Sequence, residues 1–404
     1  MSRPPLDGVR VVALEQYISG PYCTMWLADC GAEVVKVERP GVGDPRRVFQ
    51  PTRGGPDGDA VSGGFFSFNR NKRSVTLDLT LDEGRDAYRA LVASADVVVE
   101  NLRPGAVEKL GLDHTVLRRA DPRLIYAGIS GYGRAEGLPF AGRPAFDAAI
   151  LGMAGITHVT GASPEEPPQL PMYGLADMVT GICTGYQILM ALFERERTGA
   201  GRFIDVSMYD CLVALNERPL MQREFTGRVI SRGPDRFQAP MGAYACSDGY
   251  ISLVVPNDLI WRRLAACIGR PELADDPATA TGAARAADPG AYLPALTAWI
   301  GARTRADAVA ALERSGVPAG VVQDADDVAA CPHLEARGMF VRVQDPDAGE
   351  IRMPHAPVTM SDTGRVPAGT VPRLGEDNDA VLGALGLDPA LIARVTGAAP
   401  VAAR

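Results

Sequence analysis

Across its first two hundred residues the chain alternates short β-branched, apolar runs with segments of helical period, and this alternation restricts the fold more than any other feature. Val9 to Leu14, Glu33 to Glu38, Ser74 to Leu79, Asp96 to Glu100 and Leu124 to Ile129 read as strands, with Cys23 to Asp29 and Glu83 to Ala93 as helices between them. Strands separated by helices build a parallel sheet from βαβ units. Leu124 to Ile129 is apolar throughout and Asp96 to Glu100 is apolar between its ends, as expected when both faces of a sheet are covered. The expected fold class is α/β, with a Rossmann-like large domain.

Gly181 to Phe193 reads as a strongly apolar helix with glycines four residues apart. Each glycine costs about 1 kcal/mol against alanine in a helix, so close approach of another backbone is the expected reason for Gly181 and Gly185. The charged segment Glu194 to Arg197 ends the helix, and Thr198 to Gly201 turns the chain into a strand at Arg202 to Met208. From Arg218 to Met241 periodicity is lost and Pro, Gly and Arg accumulate, as in a connection between lobes. A smaller α+β unit follows, with a strand at Tyr250 to Val255 and helices at Leu259 to Ile268, Leu293 to Ala302 and Arg305 to Ser315. The Ala- and Asp-rich stretch Ala274 to Pro289 reads as a surface excursion. A turn and one or two helices are expected within Pro372 to Val395. The expected division is a large domain over 1–220, a linker over 221–245, a small domain over 246–330, and a return to the large domain over 331–404.

The length of 404 residues fits two domains. Hydrophobic residues at 46% and charged residues at 22% are those of a folded globular chain. Met1 to Asp7 lead straight into an apolar strand with no secretory pattern, and no run approaches the roughly 18 apolar residues of a spanning helix. A cytoplasmic protein with no membrane partner is expected. The seven cysteines are scattered without a C-x-x-C pair, and the four histidines form no pair at metal-ligand spacing, so neither a disulfide framework nor a metal is expected.

A net charge of −8 argues against a nucleic-acid partner, whose phosphate backbone requires a positive field. The cations are nevertheless concentrated. Lys36, Lys72 and Lys109, the only lysines, fall within the first 109 residues with Arg39, Arg46, Arg47, Arg53, Arg70, Arg73 and Arg103. Such a cluster is either a solvated face or the recognition surface for a small polyphosphate ligand.

Two glycine patterns, Gly41-Val42-Gly43 and Gly131-Tyr132-Gly133, follow strands, but neither completes G-x-G-x-x-G or follows the first strand, so a dinucleotide site is not indicated. No Walker sequence and no G-x-S-x-G elbow occurs.

Several further segments, taken in order and spacing, carry a resemblance. They are Leu14 to Pro21, Gly31 to Arg46, Asn71 to Leu79, Glu100 to Ala106, Ser130 to Gly133, Arg143 to Gly155, Leu175 to Gly185 and Leu374 to Glu376. Glu38-Arg39-Pro40-Gly41-Val42-Gly43-Asp44 is the most specific, with Glu100-Asn101-Leu102-Arg103-Pro104-Gly105 next. Over residues 6 to 385 the chain resembles the class III CoA-transferases, which include formyl-CoA:oxalate and carnitine CoA-transferases.

That resemblance implies coenzyme A, carried by an acyl-CoA, as substrate, with no permanently bound cofactor. Arg39 matches the arginine along the adenosine part; Asn101, Leu102 and Ala106 match the loop approaching pantetheine and pyrophosphate, and Lys109 is a further candidate. A guanidinium fork and the N–H groups of a strand-to-helix loop suit a phosphorylated nucleotide. Gln16, where relatives place His or Gln, is a candidate for lining the site. Read alone, Arg39 is a surface arginine before a proline.

Asp177 matches the catalytic aspartate. Taken alone, an Asp opening an apolar helix is an N-cap. As a nucleophile it is expected to be ionised at neutral pH, from a reference pKa of about 3.9 and a helix N-terminus that favours the anion. It would attack a thioester to give a mixed anhydride and then an aspartyl-CoA thioester. The α-methylacyl-CoA racemases share the fold but need an acid/base pair that includes a histidine before the aspartate matching Asp147; here that position is Phe146. A non-catalytic acyl-CoA-binding relative is the third reading. For a second carboxylate on the acid substrate, Arg143, Arg218, Arg232 and Arg236 are unranked candidates. The segment Pro234 to Tyr244 matches a loop bearing on the acyl group but lacks the glycine run of the oxalate enzymes. The family also implies an interlocked homodimer with a shared site.

Overall fold

The β-branched runs of the sequence assemble into one six-stranded sheet in the computed structural model, which describes residues 3–54, 60–233 and 239–397. Its strands are β1 (Arg10–Leu14), β2 (Glu33–Glu38), β3 (Lys72–Thr76), β4 (Val97–Glu100), β5 (Ile125–Ser130) and β6 (Phe203–Ser207). They lie in the order β3-β2-β1-β4-β5-β6, every neighbouring pair parallel. Winding reverses between β1 and β4, and in such sheets ligands bind beyond the carboxyl ends of the strands at that reversal. Val11, Val12, Val35, Val97, Val98 and Val99 are essentially inaccessible to solvent, as strands covered on both faces require.

β2 coincides with its expected span, but β3 begins and ends earlier than Ser74 to Leu79. Its two leading residues are charged, which argues against a buried strand until their partners are seen. Lys72 Nζ donates to Glu15 at 2.8 Å and Arg73 pairs with Glu33 and Asp377. Beyond Thr76 the ladder continues for one bond, Leu77 N–H to the Glu38 carbonyl at 2.9 Å.

Helix α1 (Ser19–Asp29) follows β1, α2 (Asp82–Val92) follows β3, and α3 (Asp147–Met153) and α4 (Leu175–Thr198) lie between β5 and β6. At 24 residues α4 is longer than the expected helix and, by length and composition, apolar enough to cross a bilayer. This corrects the expectation that no run approaches that limit; interspersed Thr, Gly and Gln hide its apolar character from a count of unbroken runs. In this fold α4 packs along α1. A Cβ on Gly181 would stand 2.8 Å from the Ser19 carbonyl oxygen and 3.2 Å from Cys23 N, so the close approach requires glycine there. At Gly185 the nearest atom is Cys23 Sγ at 3.9 Å, which an alanine would tolerate.

The chain divides into two compact units, one of Met1–Ala154, Met172–Asn216 and Leu334–Arg404, the other of Gly155–Pro171 and Glu217–His333. The second thus takes a piece of the expected large domain. The stretch 221–245 is not a plain linker where described, since it carries the end of helix Glu217–Thr226 and the start of strand Met241–Cys246. That strand forms an antiparallel sheet with Gly249–Val254 and Ala319–Val321. Helices Asp258–Cys267, Leu293–Gly301 and Arg305–Arg314 enclose a core of Trp261, Leu264, Leu296, Ile300 and Leu312.

Ala274 to Pro289 is more than a surface excursion. Its Arg285 is 1% exposed, donates to the carbonyls of Ala239 and Thr279, pairs with Asp258 and lies 4.8 Å from the Trp261 ring centroid. At the carboxyl end of the chain Asp377 and Asn378 accept hydrogen bonds from the backbone N–H groups of Ser74 and Thr76, so helix Asn378–Ala384 closes the β3 edge of the sheet.

Candidate active site

The loops after β1 to β4 converge at the carboxyl edge of the sheet, around a cavity of about 360 Å³. It is lined by Leu14, Glu15 and Gln16 after β1, by Val37 to Arg39 with Gly43 and Asp44 after β2, by Leu77 to Thr80 after β3, and by Leu102 and Leu110 after β4. An apolar floor with a few polar groups at the rim is the usual form of a small-molecule site.

A buried charge network fixes this rim. Asp44 accepts from the backbone N–H groups of Tyr17 and Arg46 at 3.1 and 2.9 Å, and from Lys36 Nζ at 2.9 Å. Lys36 also donates to the Glu15 carbonyl at 3.0 Å. The Lys36 and Asp44 side chains are fully inaccessible. Burial alone would lower the Lys36 pKa, but Asp44, Glu15 and Glu38 outweigh it and hold the ammonium above its ordinary value. Lys72 behind it is pushed down to about 8 by burial, against the pull of Glu15. The basic cluster of the sequence is therefore largely internal: Lys36, Arg47, Arg70, Lys72 and Arg73 all have carboxylate partners.

Asp177 lies in the first turn of α4, three residues after the N-cap Gly174, whose φ of 78° falls in the left-handed region that suits glycine. It is not the cap, which corrects the sequence reading. Asp147 caps the helix instead, accepting from the N–H groups of Gly174 at 3.0 Å and Ala176 at 2.7 Å. The Asp177 carboxyl is raised to about 7, first by burial and then by the nearby Asp147 carboxylate, while Arg46 and a hydrogen bond from Ser19 pull it down. The expectation of full ionisation at neutral pH is also corrected. Burial outweighs the helix dipole, worth about 0.3–1 kcal/mol in an exposed turn.

Gln16, Arg39 and Leu102 line the cavity; Asn101, Ala106 and Lys109 do not. Asn101 braces it: Oδ1 accepts from Gln16 N at 2.9 Å, and Nδ2 donates to the Gln16 carbonyl and Ser19 Oγ at 2.7 and 3.2 Å. A chain of hydrogen bonds thus runs from Gln16 through Asn101 and Ser19 to Asp177. Ala106 begins the single turn Ala106–Lys109 behind Gly105, with Lys109 exposed at its end. Asp147, Ser19 and Asn101 as braces escape sequence reasoning because their partners lie 27 or more residues away. Phe146, 56% exposed, has no ionisable group with which to carry a proton.

Among the arginines considered for a second carboxylate, Arg143 is exposed over the Phe140 ring, Arg218 is exposed and engaged, and Arg232 donates to the carbonyls of Pro164 and Glu166. Arg236 and the first half of the segment from Pro234 lie outside the described residues.

A doubly wound sheet, a cavity at its reversal point and a raised carboxylate at the start of a neighbouring helix define an α/β enzyme whose candidate reactive group is an aspartate. The sequence model of CoA-transferase family III matches residues 6–378, and the chain belongs to that family. It is similar to the succinyl-CoA:mesaconate CoA-transferase of Haloarcula hispanica, 37% identical over 95% of this chain and 96% of the relative. It is also similar to the succinyl-CoA–D-citramalate CoA-transferase of Chloroflexus aurantiacus, 35% identical over 93% and 92%. Among solved structures, a CAIB/BAIF family protein from Brucella suis superposes with a TM-score of 0.84 at 35% identity, over 95% of this chain and all of that one. The protein is an enzyme of the class III CoA-transferase type, with a CoA thioester as substrate.

Proposed function

We propose that the enzyme moves CoA from an acyl-CoA donor, such as succinyl-CoA, to a carboxylic acid, with Asp177 as covalent nucleophile. The observation that carries this reading is the Asp177 carboxyl itself. It is half-buried, raised to about 7, and joined by hydrogen bonds to the rim of the cavity. A more basic carboxylate is a stronger nucleophile once ionised, and its partial removal from water strengthens it further.

In the first step Asp177 attacks the thioester carbonyl, the C–S bond breaks, and CoA thiolate leaves an aspartyl acyl anhydride. The thiolate then attacks the aspartyl carbonyl, releasing the donor acid and forming aspartyl-CoA. The acceptor carboxylate repeats the two steps in reverse order and leaves as the new thioester, with Asp177 restored as carboxylate. The acyl energy is conserved at each exchange, so no ATP enters. In this reading Gln16, Arg39 and Leu102, which line the cavity, hold the CoA, and Asn101, Ala106 and Lys109 shape the loop that carries it.

The same reading includes a homodimer. Ile182, Tyr186, Met190 and Phe193 on α4 are 44 to 62% exposed and recur at helical spacing, an apolar stripe that a second subunit would cover. The seven free cysteines fit a cytoplasmic location.

Mass spectrometry of wild type and Asp177→Ala after incubation with succinyl-CoA, followed by hydroxylamine trapping, tests the mechanism. A hydroxamate on Asp177 in wild type only is expected. Transfer at the wild-type rate by the alanine variant rejects it.

A further inference from the structure

Among the described residues, the buried cations have carboxylate partners, with Arg46 as the one exception. Arg46 is 6% exposed, yet no carboxylate among the described residues lies within ion-pair distance, and its Nη1 is buried without a hydrogen-bond partner. Its neighbour in sequence, Arg47, donates to both oxygens of Glu38 at 2.7 and 2.8 Å. A buried guanidinium with unused donors is costly, and such a group persists where a ligand supplies the missing anion.

Contacts on several sides hold Arg46 in place. Asp44 caps the turn Pro45–Val48 that begins it. Nε donates to the Gly64 carbonyl at 2.9 Å, and the guanidinium carbon stands 5.1 and 5.4 Å from the ring centroids of Phe68 and Phe49. A Cβ on Gly64 would lie 2.9 Å from Nη2, so glycine makes room for the fork. The Arg46 charge is felt at the Asp177 carboxyl, which it lowers. Phe49, one of the two rings flanking the guanidinium, is 36% exposed.

We propose that Arg46 binds the second carboxylate of the acid substrate, so that this transferase selects dicarboxylic over monocarboxylic acids. The inference rests on the reading of Asp177 as nucleophile. One carboxyl group of the acid joins Asp177 as anhydride, and the other, at the far end of a short chain, meets the Arg46 fork in a charge-assisted, bidentate pair.

The test compares kcat/KM for succinate and glutarate with that for their monomethyl esters, butyrate and valerate. It uses wild type, Arg46→Met and Arg46→Lys, one acyl-CoA donor, and pH 9, well above the wild-type Asp177 value of about 7. Wild type is expected to favour the diacids, and Arg46→Met to reduce that preference by about 30-fold or more. Arg46→Lys should keep part of the preference, having charge without the fork. An equal loss with both classes of acid would mean that Arg46 acts on Asp177 alone and overturns the inference. So does a wild type that does not discriminate diacids from their monoesters, a result independent of how the variants fold. Transfer to monoacids with a normal Asp177 adduct would reject the specificity role only; absence of both transfer and adduct would remove the nucleophile reading as well.

Discussion

Asp147 holds the start of the helix that carries Asp177: its two carboxylate oxygens accept from the N–H groups of Gly174 and Ala176, at 3.0 and 2.7 Å. The same group that positions the proposed nucleophile also raises its pKa by like charge, while Ser19 works in the opposite direction.

The first consequence is a pH profile. Asp177 attacks only as the anion, so the rate of adduct formation should rise tenfold per pH unit below about 7 and level off above it. Stability should run the other way. Between about pH 4 and 7 the native state keeps a proton that the unfolded chain has released, so stability falls as pH rises through this range. Asp177→Asn removes that fall. Its melting temperature should exceed that of wild type at pH 8, by about 2–4 °C for each kcal/mol recovered, and the gain should vanish near pH 4. A melting difference independent of pH would contradict the raised pKa.

Asp147→Asn and Ser19→Ala should move the acid limb of this profile in opposite directions. The asparagine removes a like charge and shifts the limb to lower pH, and its weaker cap lowers stability by about 1 kcal/mol. Ser19→Ala deletes a hydrogen bond to the anion and shifts the limb to higher pH. Single-turnover rates measured from pH 5 to 9 separate the two; shifts of the same sign would refute the assigned electrostatics.

The sequence disclosed the sheet more readily than the site. β2 is legible to the residue because its valines Val34, Val35 and Val37 form a β-branched run bounded by Glu33 and Glu38, whereas the start of β3 is hidden by Lys72 and Arg73, whose counter-charges come from Glu15, Glu33 and Asp377. Asp177 could be located by motif, but its protonation could not, since Asp147, Ser19 and Arg46 reach it from three other segments. Arg46 is visible in the sequence only as one more member of a basic cluster. Its distinction is that Phe49, Phe68 and Gly64 bury it without a carboxylate, and nothing in local spacing encodes that.

Lys36→Met tests the network under the cavity. It leaves Asp44 buried without its counter-charge, and breaking such a pair costs about 3–5 kcal/mol. Asp44→Asn on that background removes the stranded charge while keeping an acceptor for the Tyr17 and Arg46 N–H groups. The double variant should therefore be more stable than Lys36→Met alone in urea denaturation at pH 7. Additive losses would show that the two side chains do not act as a pair.

Gly181→Ala probes the contact that brings Ser19 to Asp177. The added methyl group would sit 2.8 Å from the Ser19 carbonyl oxygen and 3.2 Å from Cys23 N, both backbone atoms of α1, which cannot step aside as a flexible side chain would. Separating α1 from α4 should cost about 1–3 kcal/mol of stability. It should also weaken the Ser19 hydrogen bond, so the acid limb should move to higher pH as in Ser19→Ala. Gly185→Ala, one turn further along the same face, meets only Cys23 Sγ at 3.9 Å, so it should gain up to about 1 kcal/mol of helix propensity and leave the acid limb where it is. Equal effects from the two alanines would mean that glycine at 181 serves helix propensity alone and that the α1 to α4 spacing does not govern the Asp177 carboxyl.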